Sequence, residues 1–343
     1  MKLKIQNTEF QFFNKFDFSL KYDSVGSTFS FEVLYNPDDT VHRQIFKPGI
    51  YPIVTLEHNG ELLLTGRILN SGTSSSSKKE ICSISGYSLP GVLEDCEIPV
   101  SSYPLQSDGL SLRQIANKLI KPFGLTMLVD TNINDLMDKV YSTSTADDNQ
   151  SIKSYLSSLA SQKNIVLSHN AKGELLFTTA KTKQVPIMNV GPGIPNTKVA
   201  LSFNGQAMHS EITVQKQADS DGGNAGQASI KNPYVINTYR PRVKSQDSGD
   251  DISTSAAARN ALAEELKNIK LTIETDRWEI DGKLIKPNNV IKVISPENFL
   301  NKPTLFFVEQ VSYKGDNEST TATLQCVLPE VYNRGTVVNI FNA

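Results

Sequence analysis

The sequence has few of the residues that commonly act in catalysis, bind metals or form disulfides. It contains only three cysteines among 343 residues, and no two of them form a CxxC pair. Neither a disulfide framework nor a zinc site is therefore predicted, and we expect Cys82, Cys96 and Cys326 to be small buried hydrophobic residues. The four histidines are scattered and never paired at metal spacing, and no GxSxG, HExxH, P-loop or dinucleotide-binding glycine motif occurs. We expect no catalytic residue, no metal and no cofactor.

The sequence also lacks an excess of charge and a long apolar run. Its 34 basic and 36 acidic residues leave a net charge of −2, which provides no field to gather nucleic acid or anionic lipid. No segment approaches the ~18 apolar residues of a membrane span, and the first residues carry charge where a signal peptide needs an apolar core. We expect no membrane insertion and a protein that is made in a cytoplasm.

Short strands are predicted throughout residues 1–99. Segments such as TFSFEVLY, ELLLTGRIL and EICSISGY alternate or cluster β-branched and aromatic residues, and turn-forming segments separate them. Asn59-Gly60 lies between two apolar runs, and both residues tolerate the positive φ of a type I′ hairpin turn. This spacing predicts a first β-barrel domain over residues 1–99.

The pattern changes over residues 100–182. Ser111 to Gln114 has the form of a capping box at the start of an amphipathic helix, which Pro122 and Gly124 end. A second helix is predicted over Ser151–Ala160, followed by a β-hairpin. These elements predict a small α/β domain.

Residues 183–343 are predicted to form a second β-barrel domain, with a helix near 255–269 and a mobile, glycine-rich loop near 216–230. Lys286-Pro287-Asn288 leads into three apolar segments, as Lys47-Pro48-Gly49 does in the first domain, and each series has a cysteine in its last strand. Two similar barrels that exchange segments are one interpretation. Any two antiparallel meanders share such spacing, which is the other.

Carboxylate pairs and one basic segment are the candidate functional sites, and the pairs are Asp135/Asp138, Asp147/Asp148, Glu264/Glu265 and Glu94/Asp95. Glu264/Glu265 fall on the predicted polar side of a helix, so solvation explains them without catalysis. The densest positive segment contains Arg240, Arg242 and Lys244. It suits either a channel that DNA passes through or a solvated strand edge where proline and charge discourage aggregation.

Three local patterns occur in order along the chain. The first runs from a Gly-x-Ser segment to an acidic one, the second is a Tyr-Arg-Pro strand followed by an Ala/Arg/Glu helix, and the third is a tryptophan with Gly-x-Leu and Pro-Asn-x-Val. The residues concerned are Gly86, Tyr87, Ser88, Asp95, Cys96, Tyr239, Arg240, Pro241, Trp278, Gly282, Pro287 and Asn288. Together these patterns resemble the baseplate hub family of contractile phages, in its Mu-like branch, which is related to late control protein D. Ile285 departs from the third pattern, where an aromatic residue is usual.

The resemblance implies a mainly β, tail-hub-like architecture, with two similar β-barrel domains and a small α/β module. It implies a structural protein of the virion, assembled in the host cytoplasm as a homotrimer. Such a trimer joins the hexameric tail tube to the trimeric spike in the baseplate and lines a channel through which DNA passes transiently. A tail-associated peptidoglycan hydrolase and a carbohydrate-binding adhesin are the alternatives, motivated by scattered carboxylates and by the β-rich organisation.

Overall fold

A computed structural model describes the chain except at residues 7, 12, 75–80, 217–225, 247–252, 317 and 343. Strands dominate it, and a small α/β module is inserted between two strand-rich regions, so the predicted mainly β fold is confirmed. The part of the predicted mobile loop at 217–225 lies outside the described residues. Residues 226–231 form a strand, because they pair along their whole length with a neighbouring strand.

The first region has seven strands and one short helix, and it contains the predicted hairpin. Asn59 and Gly60 both have positive φ, 50° and 80°, where the chain reverses. The strands are β1 (Lys2–Ile5), β2 (Thr8–Phe10), β3 (Lys15–Lys21), β4 (Thr28–Leu34), β5 (Ile53–His58), β6 (Glu61–Ser74) and β7 (Ile81–Ser88), and α1 is Thr40–Ile45.

The α/β module has its own apolar core. The predicted capping box at Ser111 is confirmed, since its side chain accepts from the Gln114 N–H while the Gln114 side chain accepts from the Ser111 N–H. Ile115 and Leu156 from two facing helices are fully buried in the module core. Its elements are α2 (Val92–Asp95), α3 (Leu112–Ile120), β8 (Met127–Val129), α4 (Asn134–Asp138), α5 (Ile152–Gln162), β9 (Val166–His169) and β10 (Leu175–Thr178).

The remaining elements complete the large sheet and add a small one. The predicted helix near 255–269 is present as α6, capped by the Ser253 side chain. These elements are β11 (Asn189–Val190), β12 (Thr197–Phe203), β13 (Glu211–Lys216), β14 (Gly226–Lys231), β15 (Pro241–Gln246), α6 (Thr254–Leu266), β16 (Ile269–Thr275), β17 (Glu279–Ile280), β18 (Lys283–Leu284), β19 (Asn289–Ser295), β20 (Leu300–Asp316), β21 (Thr320–Val327) and α7 (Glu330–Asn333).

The two strand-rich regions share one sheet. In the part of the chain that the structure describes, thirteen strands are joined, and the main path runs β12-β16-β21-β20-β3-β4-β7-β6-β5-β1-β2. The pairing of β3 with β20 connects the first region to the last. A single core cluster includes buried residues from both, such as Phe31 and Phe306. The two predicted barrel regions are therefore fused through a strand pair and a common core.

Strand order shows the same five-strand unit twice. In the first region, which we call half-sheet one, the order is β3-β4-β7-β6-β5, and in the last region, half-sheet two, it is β12-β16-β21-β20-β19. Ile68 pairs with Gly86, and Val308 pairs with Cys326, an offset of 240 residues in each strand (308 minus 68, 326 minus 86).

Irregularities recur at the same places in both half-sheets. The pairing of β6 with β7 skips one residue between Ile68 and Asn70, and that of β20 with β21 skips one between Val308 and Gln310. The pairing of β5 with β6 and that of β19 with β20 also shift register, in both cases directly after an equivalent pair of residues. Because β-bulges are specific features of a ladder, their recurrence is stronger support for a repeat than strand spacing alone.

Two residue correspondences between the half-sheets differ from those that the sequence suggests. Ile53 pairs with Arg67, and Val290 pairs with Phe307, so β5 and β19 are offset by 237 residues (290 minus 53). Pro287 then corresponds to Ile50 rather than to Pro48. Similarly, Cys326 corresponds to Gly86, so the two cysteines in the last strands are not equivalent. Strand pairing, rather than residue identity, carries the similarity.

Candidate functional site

The junction between the half-sheets is formed by β3 and β20 side by side. Phe18 and Tyr313 face each other on the apolar side with stacked rings whose centroids lie 4.7 Å apart. On the opposite side, the hydroxyls of Ser19 and Ser312 lie 2.7 Å apart. All four side chains are buried, with Ser312 the most exposed at 9%. The junction therefore has a dry apolar face and a satisfied polar pair, as the interior of a sheet does.

Trp278 packs against the apolar side of this junction. Its ring lies edge-on to Phe16, with centroids 5.6 Å apart, and tilted against Tyr313 at 5.2 Å. It precedes the β17–β18 hairpin, whose turn residues Asp281 and Gly282 have φ of 50° and 73°. Two adjacent positive φ values fit a type I′ turn, which explains a glycine at the second position.

The same hairpin contacts the tip of half-sheet one. The Glu279 carboxylate lies 2.6 Å from Nε2 of His58 and accepts a 2.8 Å hydrogen bond from the Asn59 amide. Asn288 follows Pro287 and directly precedes β19, and it has a positive φ of 61°. Its N–H donates to the carbonyl of Val308 in β20. The third family-like pattern thus lies where the two half-sheets are held together.

The first family-like pattern lies where half-sheet one leads into the module. A Cβ on Gly86 would come within 1.9 Å of the Arg67 carbonyl oxygen, so only glycine fits this bulge. The Tyr87 hydroxyl donates to the Asp95 carboxylate at 2.7 Å. Asp95 ends α2, and the carbonyl of the following Cys96 accepts from the Ile152 N–H. Cys96 is half-buried, whereas burial was expected for all three cysteines.

His169 of β9 attaches the module to the turn between β3 and β4, and Ser88 at the end of β7 holds the same turn. The Ser88 hydroxyl accepts from the Ser27 N–H at 2.9 Å. Nδ1 of His169 lies 2.8 Å from the Ser24 carbonyl, and its Nε2 lies 2.8 Å from the Ser27 hydroxyl and 3.1 Å from the Ser27 N–H. The neutral imidazole with its proton on Nδ1 satisfies all these contacts.

Burial lowers the pKa of His169 to about 4. Protonation would also place a second N–H against the Ser27 N–H, which already points at Nε2. Nothing in the sequence pattern singles out His169. Its only signal is a polar residue at the end of a predicted strand, and the partners lie more than 140 residues away.

The second family-like pattern lies in the small sheet β14-β13-β15. Tyr239 is 82% exposed. The Arg240 guanidinium donates to the carbonyls of Met208 at 3.1 Å and Gln206 at 2.7 Å. Pro241 begins β15, where a missing N–H is tolerated. Arg240 thus closes the loop before β13, and Lys244 borders a cleft between this sheet and α5.

Glu265 corrects one prediction from the sequence. It was assigned to the polar side of its helix, but it is only 3% exposed. Its carboxylate accepts from the His209 N–H at 2.8 Å, lies 2.7 Å from Nδ1 of His209, and pairs with Arg242 at 3.2 Å. The small sheet covers this face of α6, which periodicity in one helix could not reveal. Its neighbour Glu264 is exposed, as expected.

The three family-like patterns therefore occupy three places: the junction, the module attachment and the small sheet on α6. Asp138, one of the carboxylates considered for catalysis, is ion-paired with Arg113 at 2.6 Å. Within the described ranges, no cluster of three or more histidine, cysteine or acidic side chains could hold a metal ion. None of the helices in those ranges is long and apolar enough to cross a membrane.

Comparison with known proteins gives a consistent result. The sequence model of the family described as "Baseplate hub protein gp44-like, second domain" matches residues 90–179, which include α3 and α5. The chain is 25% identical over 276 residues to the baseplate hub protein gp44 of Escherichia phage Mu, covering 75% of this chain and 70% of that protein. The resemblance to the Mu-like baseplate hub family is confirmed.

Solved structures of two tail proteins share the fold over nearly the whole chain. The 43 kDa tail protein of prophage MuSo2 from Shewanella oneidensis is 20% identical, with a TM-score of 0.79, covering 96% of this chain and 99% of that one. The tail protein of Neisseria meningitidis MC58 is 18% identical, with a TM-score of 0.78 and 97% of each chain covered. These likenesses show the fold, and the relatives themselves are described as baseplate hub and tail proteins.

Proposed function

We propose that this hub protein acts as a homotrimeric symmetry adaptor in the baseplate of a contractile tail. It joins the hexameric tail tube on one side to the trimeric spike on the other and contacts other baseplate proteins. The observation that carries the proposal is the duplicated five-strand unit, with its matching bulges at Ile68 and Val308. Three chains with two equivalent units each present six, which matches a sixfold partner while the assembly keeps threefold symmetry.

The junction supports this arrangement because it gives a fixed geometry between the two units. β3 and β20 pair over seven consecutive residues, from Gln310 with Lys21 to Asp316 with Lys15. A strand pair with a stacked aromatic core holds its two sides rigidly. If each five-strand unit is rotated by one sixth of a turn from the next, six units close into a ring.

A channel through the ring would be lined by one face of the large sheet. Residues alternate across each strand, and the side opposite the Phe18 row carries small polar and charged side chains such as Ser30, Thr323 and Lys314. Such a face suits a water-filled passage for DNA. Arg240, Arg242 and Lys244 are further candidates for the lining, with Lys244 the one that borders an open cleft.

Mass measurement of the purified chain and electron microscopy of its complex with tube and spike proteins test the proposal. We expect a trimer at micromolar concentration, assembled in the host cytoplasm and found in the tail of the virion. Ring averages should show threefold symmetry with six similar lobes. A monomer in the presence of spike, or a hexamer of this chain with twelve lobes, would contradict the adaptor.

A further inference from the structure

Among the described residues, the second half of β6 lacks on one edge the strand that its counterpart β20 has. β20 pairs with β21 on one edge, and on the other with β19 up to Val308 and with β3 from Gln310 onward. β6 pairs with β7 on one edge and with β5 on the other only up to Arg67. From Asn70 to Ser74, no strand within the described ranges takes the place that β3 takes beside β20.

β12 is the counterpart of β3, and one of its edges is open from Ala200 onward, while the Val199 carbonyl accepts from the Asn298 side chain. Phe18 pairs with Phe29 and through it with Gly86, while Leu201 pairs with Leu271 and through it with Cys326. Since Gly86 corresponds to Cys326, Leu201 corresponds to Phe18. β12 ends the main path of the large sheet, with β16 as its partner among the described strands.

Residues beside an open edge are more exposed than their counterparts that lie beside a paired strand. Phe203, which corresponds to the 7% exposed Leu20, is 44% exposed. Ser202 is exposed where Ser19 is buried, and on the other edge Gly72 and Thr73 are exposed where Ser312 and Tyr313 are buried. An open edge that presents apolar side chains is a ready template for another strand.

We propose that β12 of one chain adds to the second half of β6 of a neighbouring chain, antiparallel, in the register of β3 with β20. This inference rests on the proposed homotrimer and names its contact. The occupant is a second copy of this chain, because the chain itself carries the matching strand and the precedent for its register. The expected partners are Asn70 with Asn204, Ser71 with Phe203, Gly72 with Ser202, Thr73 with Leu201 and Ser74 with Ala200.

The contact is heterologous, since each chain offers β12 on one side and β6 on the other. Heterologous contacts close into a ring or continue as a filament, depending on the rotation between neighbours. If the β3–β20 geometry is repeated between chains, the rotation between the two half-sheets of one chain equals the rotation between half-sheets of neighbouring chains. The large sheet would then run without interruption around three chains, and both open edges would disappear.

Engineered cysteines test the register directly. Tyr22 donates from its N–H to the Glu309 carbonyl, so the alternating pattern makes Ser19 with Ser312 a non-hydrogen-bonded pair. Gly72 with Ser202 inherits this position, where Cα atoms ~4.5 Å apart allow a disulfide. A Cβ on Gly72 meets nothing within 4 Å, so Gly72→Cys should fold.

We expect the Gly72→Cys, Ser202→Cys double variant to form dimers and then closed trimers on non-reducing gels after mild oxidation. The matched control combines Gly72→Cys with Lys198→Cys, four residues away on β12, and should stay uncrosslinked. A mixture of the two single variants, Gly72→Cys and Ser202→Cys, should stop at covalent dimers.

The outcomes separate this contact from the trimer itself. A trimer by mass whose Gly72→Cys, Ser202→Cys variant does not crosslink, or crosslinks no better than the control, overturns the strand pairing and leaves the adaptor standing. Covalent ladders beyond three chains overturn the closed ring. A chain that stays monomeric and uncrosslinked at all concentrations overturns both.

Discussion

The two half-sheets share five strands and two bulges but differ in what is inserted at their ends. In half-sheet one, β3 turns directly into β4 within residues 22–27, and the α/β module follows β7. In half-sheet two, residues 204–268 lie between β12 and β16 and contain the small sheet and α6. The common strands preserve the geometry that assembly needs, and the insertions give each half a different surface.

The largest expected effect compares the covered junction with its uncovered counterpart. Phe18→Ala should lower the free energy of unfolding by about 3–5 kcal/mol, because it removes a buried ring stacked on Tyr313. Leu201→Ala, at the equivalent position of half-sheet two, should cost the isolated chain about 1 kcal/mol. Denaturant unfolding at low protein concentration measures both, and equal losses would contradict the difference between the two edges.

A second comparison uses glycines in two adjacent strands of half-sheet one. Gly86→Ala should lower the free energy of unfolding by about 3 kcal/mol, since the added carbon meets the Arg67 carbonyl. Gly72→Ala, with open space around it, should change stability by less than about 0.5 kcal/mol. Thermal melting of both variants gives the comparison. A tolerated Gly86→Ala would show that the bulge adapts, as half-sheet two does around Cys326.

The insertion of half-sheet two can be tested at two neighbouring glutamates. Glu265→Gln should cost about 2 kcal/mol, because Arg242 is left without its charged partner beside His209. Glu264→Gln alters an exposed ion pair with Lys267 and should cost less than about 0.5 kcal/mol. Urea unfolding at neutral pH should separate the two variants clearly, and similar midpoints would place Glu265 outside the core of this insertion.

The attachment of the module to half-sheet one should depend on pH. His169 has a folded pKa of about 4, below the ~6.5 of an unfolded chain, so the folded state binds fewer protons. Its stabilising contribution is complete above about pH 6.5 and is lost as the pH falls toward 4. Between pH 7.5 and 5 we expect a loss of about 1–2 kcal/mol, allowing for solvent screening.

The variant that isolates this effect is His169→Gln, measured by unfolding across the same pH range. It should be less stable at pH 7.5 but should lack the additional loss toward pH 5. His42→Gln, in α1 and away from the module, serves as the control and should keep the loss. A wild-type profile that is flat between pH 7.5 and 5 would mean that the imidazole charges without disturbing the attachment.

Most of the local structure is predictable from the sequence, because local structure depends on short-range patterns. The turn at Asn59-Gly60 follows from positive φ at two residues, and the cap at Ser111 follows from a side chain three residues from its partner. The order of the motifs was sufficient to indicate the hub family.

How these elements pack against one another is visible only in the tertiary structure. Glu265 is buried because another sheet covers its helix, and His169 is a neutral acceptor because a turn more than 140 residues away surrounds it. The repeat itself is defined by pairing register and bulges, which different side chains satisfy equally well: Gly86 and Cys326 occupy one position. Hydrogen bonds between backbones carry no sequence signature, so the junction of β3 with β20 became visible only in the folded chain.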